Sequence, residues 1–197
     1  GGVLPLDPDY VHALQALCQE KDWLLAVDEV QTGVGRTGSL FCFQDYDILP
    51  DVVSFAKGIG GGLPLAGILA GAKTETVLTP GTHATTFGGN PICCAGGLSV
   101  LEQLDDALLA DVKKKGAYLK EKISAMPGVK EVRGMGLMLG VALTDQEGYG
   151  AKVNAMIEKG LLCLTAGHST IRLLPPLTIS QEEMDQGLAI MAEVLGA

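Results

Sequence analysis

Apolar residues recur at helical spacing through Asp9–Lys21, at Val11, Leu14 and Leu17, with Ala13 and Ala16 beside them. Pro8 suits the first turn of that helix, where a missing N–H costs nothing. The pattern then changes to unbroken apolar runs. Trp23–Val27, ending at Asp28, and Val52–Ala56 read as buried strands of a parallel sheet. A third strand is expected over Ala66–Ala70. Residues 29–50 carry Gly33, Gly35, Gly38 and Pro50 and are expected to be mostly loop and turn, as is the Gly-, Thr- and Pro-rich stretch Thr79–Pro91. A helix is expected from near Pro91, and helical pattern continues past a break to about Ala125.

Met126-Pro127-Gly128 is a stop signal, and the character of the chain changes beyond it. Short strands are expected over Val129–Val132 and Gly136–Leu143, joined at Gly134. A helix over residues 150–159 closes at Gly160, and two more strands follow over Leu161–Leu164 and Thr170–Leu174. Ser180 caps a last helix whose first turn carries Glu182 and Glu183, near the positive end of the helix dipole. The expected architecture is α/β: residues 1–105 as part of a large domain with a mostly parallel sheet, and residues 106–197 as a small α+β domain.

Composition narrows the functional classes. The chain has 197 residues, a hydrophobic fraction of 47% and an aromatic fraction of only 5%, so its core is built from aliphatic side chains. A formal net charge of −9 argues against nucleic acid as a partner. The densest basic run, Lys113-Lys114-Lys115, reads as a solvated helix face. No apolar run approaches the roughly 18 residues of a membrane span. The start of the chain has no signal-peptide pattern, and it opens as if cut from a longer protein. Five scattered cysteines (Cys18, Cys42, Cys93, Cys94, Cys163) form no metal-binding spacing and point to reduced thiols in the cytoplasm. The adjacent Cys93 and Cys94 are expected to pack inside. His12, His83 and His168 are too dispersed for a metal site.

The candidate chemistry begins at Lys57, which ends the second apolar run and starts the turn Gly58-Ile59-Gly60-Gly61-Gly62. An ammonium group there is expected to lose hydration and need a partner. A desolvated lysine amine can form a Schiff base with an aldehyde. Asp28 ends the first run, and open α/β sheets bind ligands at the carboxyl ends of their strands. A carboxylate in a low-dielectric pocket keeps a heterocyclic nitrogen protonated. A lysine for the aldehyde and an acid for the ring nitrogen are what pyridoxal phosphate requires.

Three segments then resemble one family. Asp28-Glu29-Val30-Gln31-Thr32-Gly33 with Gly35-Arg36-Thr37-Gly38, Phe55-Ala56-Lys57-Gly58-Ile59-Gly60-Gly61-Gly62-Leu63-Pro64 and Thr85-Thr86-Phe87-Gly88-Gly89-Asn90-Pro91 are similar, in order and spacing, to the motifs of class III (ornithine-type) aminotransferases. The resemblance implies fold type I, pyridoxal 5′-phosphate as cofactor, and a small-molecule amino donor and 2-oxo acid as substrates. Val132–Met138 and Ile171–Leu177 look closest to the branch that transfers the amino group of N-acetylornithine to 2-oxoglutarate in arginine biosynthesis. Ornithine, succinylornithine and 4-aminobutyrate are the alternative donors, and a non-catalytic α/β domain is the alternative of another class.

The resemblance also implies roles. Lys57 is the catalytic residue, holding the cofactor and moving the substrate proton. Asp28 binds the pyridine nitrogen, Gln31 the ring's 3′ oxygen and Thr86 the phosphate. Thr86 serves the neighbouring subunit's site, implying a homodimer. Arg172 takes the substrate carboxylate. Arg36 and His83 shape loops. Ala84-Thr85 departs from the Gly-Ser frequent in the family. The resemblance covers the C-terminal half of a typical member. The phosphate-binding loop, the aromatic residue stacked on the cofactor and a glutamate paired with the arginine are expected upstream of Gly1, so these residues alone are expected to be inactive.

Overall fold

The computed structural model describes residues 2–145 and 147–196. The chain forms two compact units: Leu6–Leu109, and Gly1–Pro5 together with Ala110–Ala197.

The Leu6–Leu109 unit opens with helix α1 (Pro8–Glu20). The Asp7 carboxylate caps it, accepting from Asp9 N–H at 2.8 Å and Tyr10 N–H at 3.3 Å, and Pro8 fills the first turn. Strands β1 (Ala26–Asp28), β2 (Val52–Phe55) and β3 (Gly67–Ala70) form a sheet in that order. β1 and β2 run parallel, with Asp28 opposite Ser54. β3 returns antiparallel, because residues 56–66 are too short for the crossover that a parallel return requires. β1 is shorter than expected: Trp23 and Leu24 precede it and are 58% and 54% exposed. Its ladder begins where β2 begins, with Ala26 opposite Val52. Val11 and Cys18 of α1 pack with Leu25 and Ile48 as the core of this unit. Helix α2 (Pro91–Gln103) is capped by the Asn90 side chain. Gly96 and Gly97 let it approach the turn after β2; a methyl group at Gly97 would lie 2.5 Å from Leu65 Cδ2. Cys93 is buried, but Cys94 is exposed, because consecutive helix positions face different directions.

Helix α3 (Asp106–Ser124) leads into the other unit. Strands β4 (Val129–Met135), β5 (Met138–Leu143), β6 (Leu164–Ala166) and β7 (Thr170–Leu173) form an antiparallel sheet of order β4-β5-β7-β6. The β4–β5 turn falls at Gly136-Leu137, not at Gly134, which lies inside β4 at φ 120°. Residues 161–163 are not strand; β6 starts at Leu164. Helices α4 (Tyr149–Glu158) and α5 (Gln181–Leu195) complete the unit. Ser180 and Glu183 cap α5 reciprocally. The hydrogen bonds from the Ser180 backbone and hydroxyl hold the Glu183 carboxyl below its usual range. Lys115 is not a solvated cation: it pairs with Asp111 at 2.7 Å and donates to Leu177 O at 3.2 Å.

Leu139, Val141, Ile171 and Leu173 of β5 and β7 are buried with Val112, Leu119 and Ile123 of α3, Met156 of α4 and Met184, Leu188 and Met191 of α5. Ile171 has no solvent exposure. Ile171→Ala is expected to destabilise the complete protein by about 2–5 kcal/mol, read as a lowered denaturation midpoint.

Candidate cofactor site

β1 and β2 end at the same edge of the sheet because they run parallel and in register. Asp28 closes β1, and its Oδ1 accepts the Val30 N–H at 2.9 Å, turning the chain out of the strand. Lys57 follows β2 and begins a 3-10 turn, Lys57–Gly60. Its φ is 50°, in the left-handed region that residues with a Cβ rarely adopt, at a cost on the order of 1 kcal/mol. Val34, a β-branched residue for which such a φ is more unusual still, has φ 60°. It packs on the same turn: a methyl group at Gly58 would lie 3.4 Å from Val34 Cβ. The loop after β1 and the turn after β2 thus brace each other.

Both key side chains are exposed. The left-handed backbone turns the chain at Lys57, and Ile59 and Gly60 fill the interior of the turn. Gln31 is half-buried in the loop after Asp28. Thr86 lies on an exposed loop beside Phe87, which is 83% exposed. Asp28, Gln31, Lys57 and Thr86 all belong to the Leu6–Leu109 unit. No hydrogen bond links Thr86 to the other three among the described residues.

Arg172 belongs to the other unit, at the centre of β7. It is half-buried and enters no ion pair among the described residues. Its Nε is fully buried without a hydrogen-bond partner. The Nε of Arg133 is buried without a partner as well; what sets Arg172 apart is that its guanidinium enters no ion pair among the described residues, whereas that of Arg133 pairs with Glu131, and a carboxylate would satisfy it.

The sequence reading missed Glu29. It is entirely buried. Its Oε1 accepts the Phe43 N–H at 2.7 Å, and its Oε2 accepts from the Thr32 hydroxyl. Its own N–H donates to Ser54 O at 2.8 Å, and its carbonyl accepts Gly33 N–H at 2.9 Å. Glu29 therefore ties the long loop to the ends of β1 and β2, directly between Asp28 and Gln31. Gly33 is needed there, since a methyl group would lie 2.8 Å from Glu29 O. The only signal in the sequence is a threonine three residues after the glutamate, too common a spacing to single out.

The donor set fits pyridoxal phosphate. A primary amine able to take the aldehyde and a carboxylate able to take the ring N–H stand at one edge of neighbouring strands, and a side-chain amide lies three residues beyond the carboxylate. Among the described residues no group of three His, Cys, Asp or Glu could hold a metal ion, and no helix is long and apolar enough to cross a membrane.

The family description aminotransferase class-III matches residues 1–195. The chain belongs to the class-III aminotransferase family, whose members depend on pyridoxal 5′-phosphate. It is 42% identical to the acetylornithine aminotransferase of Haemophilus ducreyi over 99% of its own length and 49% of that protein. It is 44% identical to that of Caldanaerobacter subterraneus, over 99% and 50%. Among solved structures, N-acetylornithine aminotransferase from Stenotrophomonas maltophilia superposes with a TM-score of 0.90 at 34% identity, over 100% of this chain and 53% of that one. Plasmodium falciparum ornithine delta-aminotransferase superposes at 0.89 and 35%, over 99% and 53%. The chain thus spans about half the length of the relatives it matches.

Cys42 lies against this loop. Burial first, then the nearby Glu29 and Asp45 carboxylates, push its thiol up to about 11. Thiolate is the reactive form, so the raised thiol makes Cys42 a slow nucleophile at pH 8. Alkylation at pH 8 is expected to label Cys94 faster than the half-buried Cys42, read by peptide mass mapping. Equal rates at the two positions would contradict the raised Cys42 thiol.

Proposed function

We propose that the complete protein is a pyridoxal-phosphate-dependent aminotransferase that moves an amino group from N-acetylornithine to 2-oxoglutarate, a step of arginine biosynthesis. The observation that carries this reading is the placement of Lys57 and Asp28 at one edge of two parallel strands. The acetylornithine specificity is supported by relatives of that name at 42–44% identity.

When bound, the cofactor supplies an aldehyde that captures the amino group and a ring that takes up the electrons released at the substrate Cα. Lys57 is the residue that would hold that aldehyde through its amine, and the same amine would serve as the base for the proton at the substrate Cα. With Asp28 Oδ1 engaged by Val30 N–H, Oδ2 is left to accept the ring N–H. A negative charge there keeps the ring nitrogen protonated. Gln31 donates its amide to the 3′ oxygen. Arg172 would offer its guanidinium to the substrate carboxylate.

The active species is a homodimer in which Thr86 donates to the phosphate in the neighbouring subunit's site. Its exposed position on an exposed loop, with no hydrogen bond to its own chain's other candidate residues, supports this reading. Residues 1–105 contribute to the cofactor-binding domain and 106–197 to the smaller domain. Five cysteines without a disulfide among the described residues support a cytoplasmic location. Turnover requires more chain than these 197 residues, since the relatives are about twice as long. Measurable transamination by this chain alone would contradict that requirement.

Addition of pyridoxal phosphate to the complete protein is expected to give the absorption band of the lysine-bound cofactor near the edge of the visible. Lys57→Ala is expected to abolish the band and the activity together. A band that survives the substitution would remove Lys57 from its role. Ornithine is the second reading, favoured by the superposition on ornithine delta-aminotransferase. In a panel of amino donors N-acetylornithine is expected to give the highest kcat/KM, and a clear preference for ornithine or 4-aminobutyrate would replace the first reading.

A further inference from the structure

The register of the antiparallel sheet places two arginines in one row. Arg133 of β4 stands opposite Gly140 of β5, and Gly140 stands opposite Arg172 of β7. Directly opposed residues of neighbouring antiparallel strands project to the same face of a sheet. Arg133 and Arg172 therefore share a face, separated by a strand position with no side chain. The other face of the same strands carries Val132, Val141 and Ile171.

The gap over Gly140 is filled by Gly2 and Val3. A methyl group at Gly140 would lie 2.8 Å from Val3 Cβ and 3.0 Å from Gly2 O. Arg133 holds this segment down. Its Nη2 donates to Gly2 O at 2.9 Å and to the Thr170 hydroxyl at 3.0 Å, while Nη1 reaches Glu131 at 3.2 Å. Thr170 lies two residues before Arg172 on β7, so it shares that face as well. Gly2 fits tightly, since a methyl group there would lie 3.2 Å from Gly167 O and 3.3 Å from Arg133 Nη2. Val3 is held at φ 53°, a conformation that a β-branched residue keeps only under constraint.

We infer that Arg133 is a positioning residue for the carboxylate site at Arg172: it straps Gly2–Val3 across Gly140 and so fixes the wall beside the Arg172 guanidinium. The inference rests on the reading of Arg172 as the carboxylate-binding residue. With the strap in place, the Arg172 side chain cannot fold across the sheet into the space over Gly140. The Arg172 guanidinium is then kept in one orientation for an incoming carboxylate. Without the strap, that space opens to water and to the long arginine side chain. Holding one productive geometry then has to be met from the binding energy of the substrate. The role requires the fork of an arginine, because one nitrogen bridges a backbone carbonyl and a hydroxyl while another engages Glu131.

The test uses the complete protein and two readouts: steady-state kinetics of the holoenzyme with 2-oxoglutarate, and titration of the apoprotein with 2-oxoglutarate followed by the Arg172 Nε–H resonance. Arg133→Ala is expected to raise KM and the dissociation constant about tenfold with kcat and the cofactor absorption band unchanged. Thr170→Val removes one of the two acceptors of Nη2 while keeping the side chain's shape, and is expected to raise both about threefold. It carries the same test if Arg133→Ala does not fold. Arg133→Lys is expected to behave like Arg133→Ala. Full affinity in the lysine variant would overturn the strap in favour of a simple charge effect. A lowered melting temperature with unchanged KM and dissociation constant in both Arg133→Ala and Thr170→Val would overturn it in favour of a purely structural contact. Arg172→Ala separates the two claims. If it raises KM while the Arg133 and Thr170 variants do not, the strap alone fails. If it leaves KM unchanged, the carboxylate reading fails and the strap's role falls with it.

Discussion

The parallel pairing of β1 with β2 is the constraint on which the candidate chemistry depends. Parallel neighbours end at the same edge of a sheet, so residues that follow them in sequence leave the sheet side by side. Asp28 and Lys57 are 29 positions apart in the chain, yet one strand pairing brings them to a common edge. An antiparallel pairing of the same two segments would have sent them to opposite ends. The antiparallel β3 shows this contrast within one sheet, since it carries the chain back from that edge.

Strand pairing alone does not hold two flexible side chains in place. That work falls to the loop after β1, whose anchor is a buried carboxylate. Glu29 uses both carboxylate oxygens, its N–H and its carbonyl, and each bond reaches a different part of the loop or sheet. Burying a carboxylate is costly unless its acceptor positions are filled. A site satisfied at four points is correspondingly hard to deform. The left-handed backbones at Val34 and Lys57 belong to the same arrangement. Strain at these positions is sustained because packing on Gly58 and α2 leaves the turn little alternative.

The helices were legible because their signals are local. Pro8 marked α1, Pro91 opened α2 and Ser180 opened α5 within one residue of the observed starts. Both motif-bearing strands could be read from their apolar runs, but an apolar run does not say which of its residues find partners. Trp23 and Leu24 look as buried in the sequence as Leu25, yet the ladder begins only opposite Val52. Glu29 was illegible because its burial rests on the backbone N–H of Phe43, fourteen residues on, and no local pattern records that bond.

The glycines of the second unit show how long-range placement becomes specific without any catalytic side chain. Gly134 lies within β4, where a methyl group would overlap Met138 O, and Gly116 of α3 meets Gly136 O in the same way. These positions let the β4–β5 turn tighten and α3 seat against it. Gly140 differs in kind. Here the backbone makes room for a second segment distant in sequence, and the room lies between two arginines. A tight turn needs only that the glycine be small. At Gly140 the segment admitted must also be held, because a gap beside a long cationic side chain admits water or the side chain itself as readily as it admits Val3. Arg133 supplies that hold from the neighbouring strand, and the register that aligns Arg133, Gly140 and Arg172 is what makes one arginine able to act on the surroundings of the other.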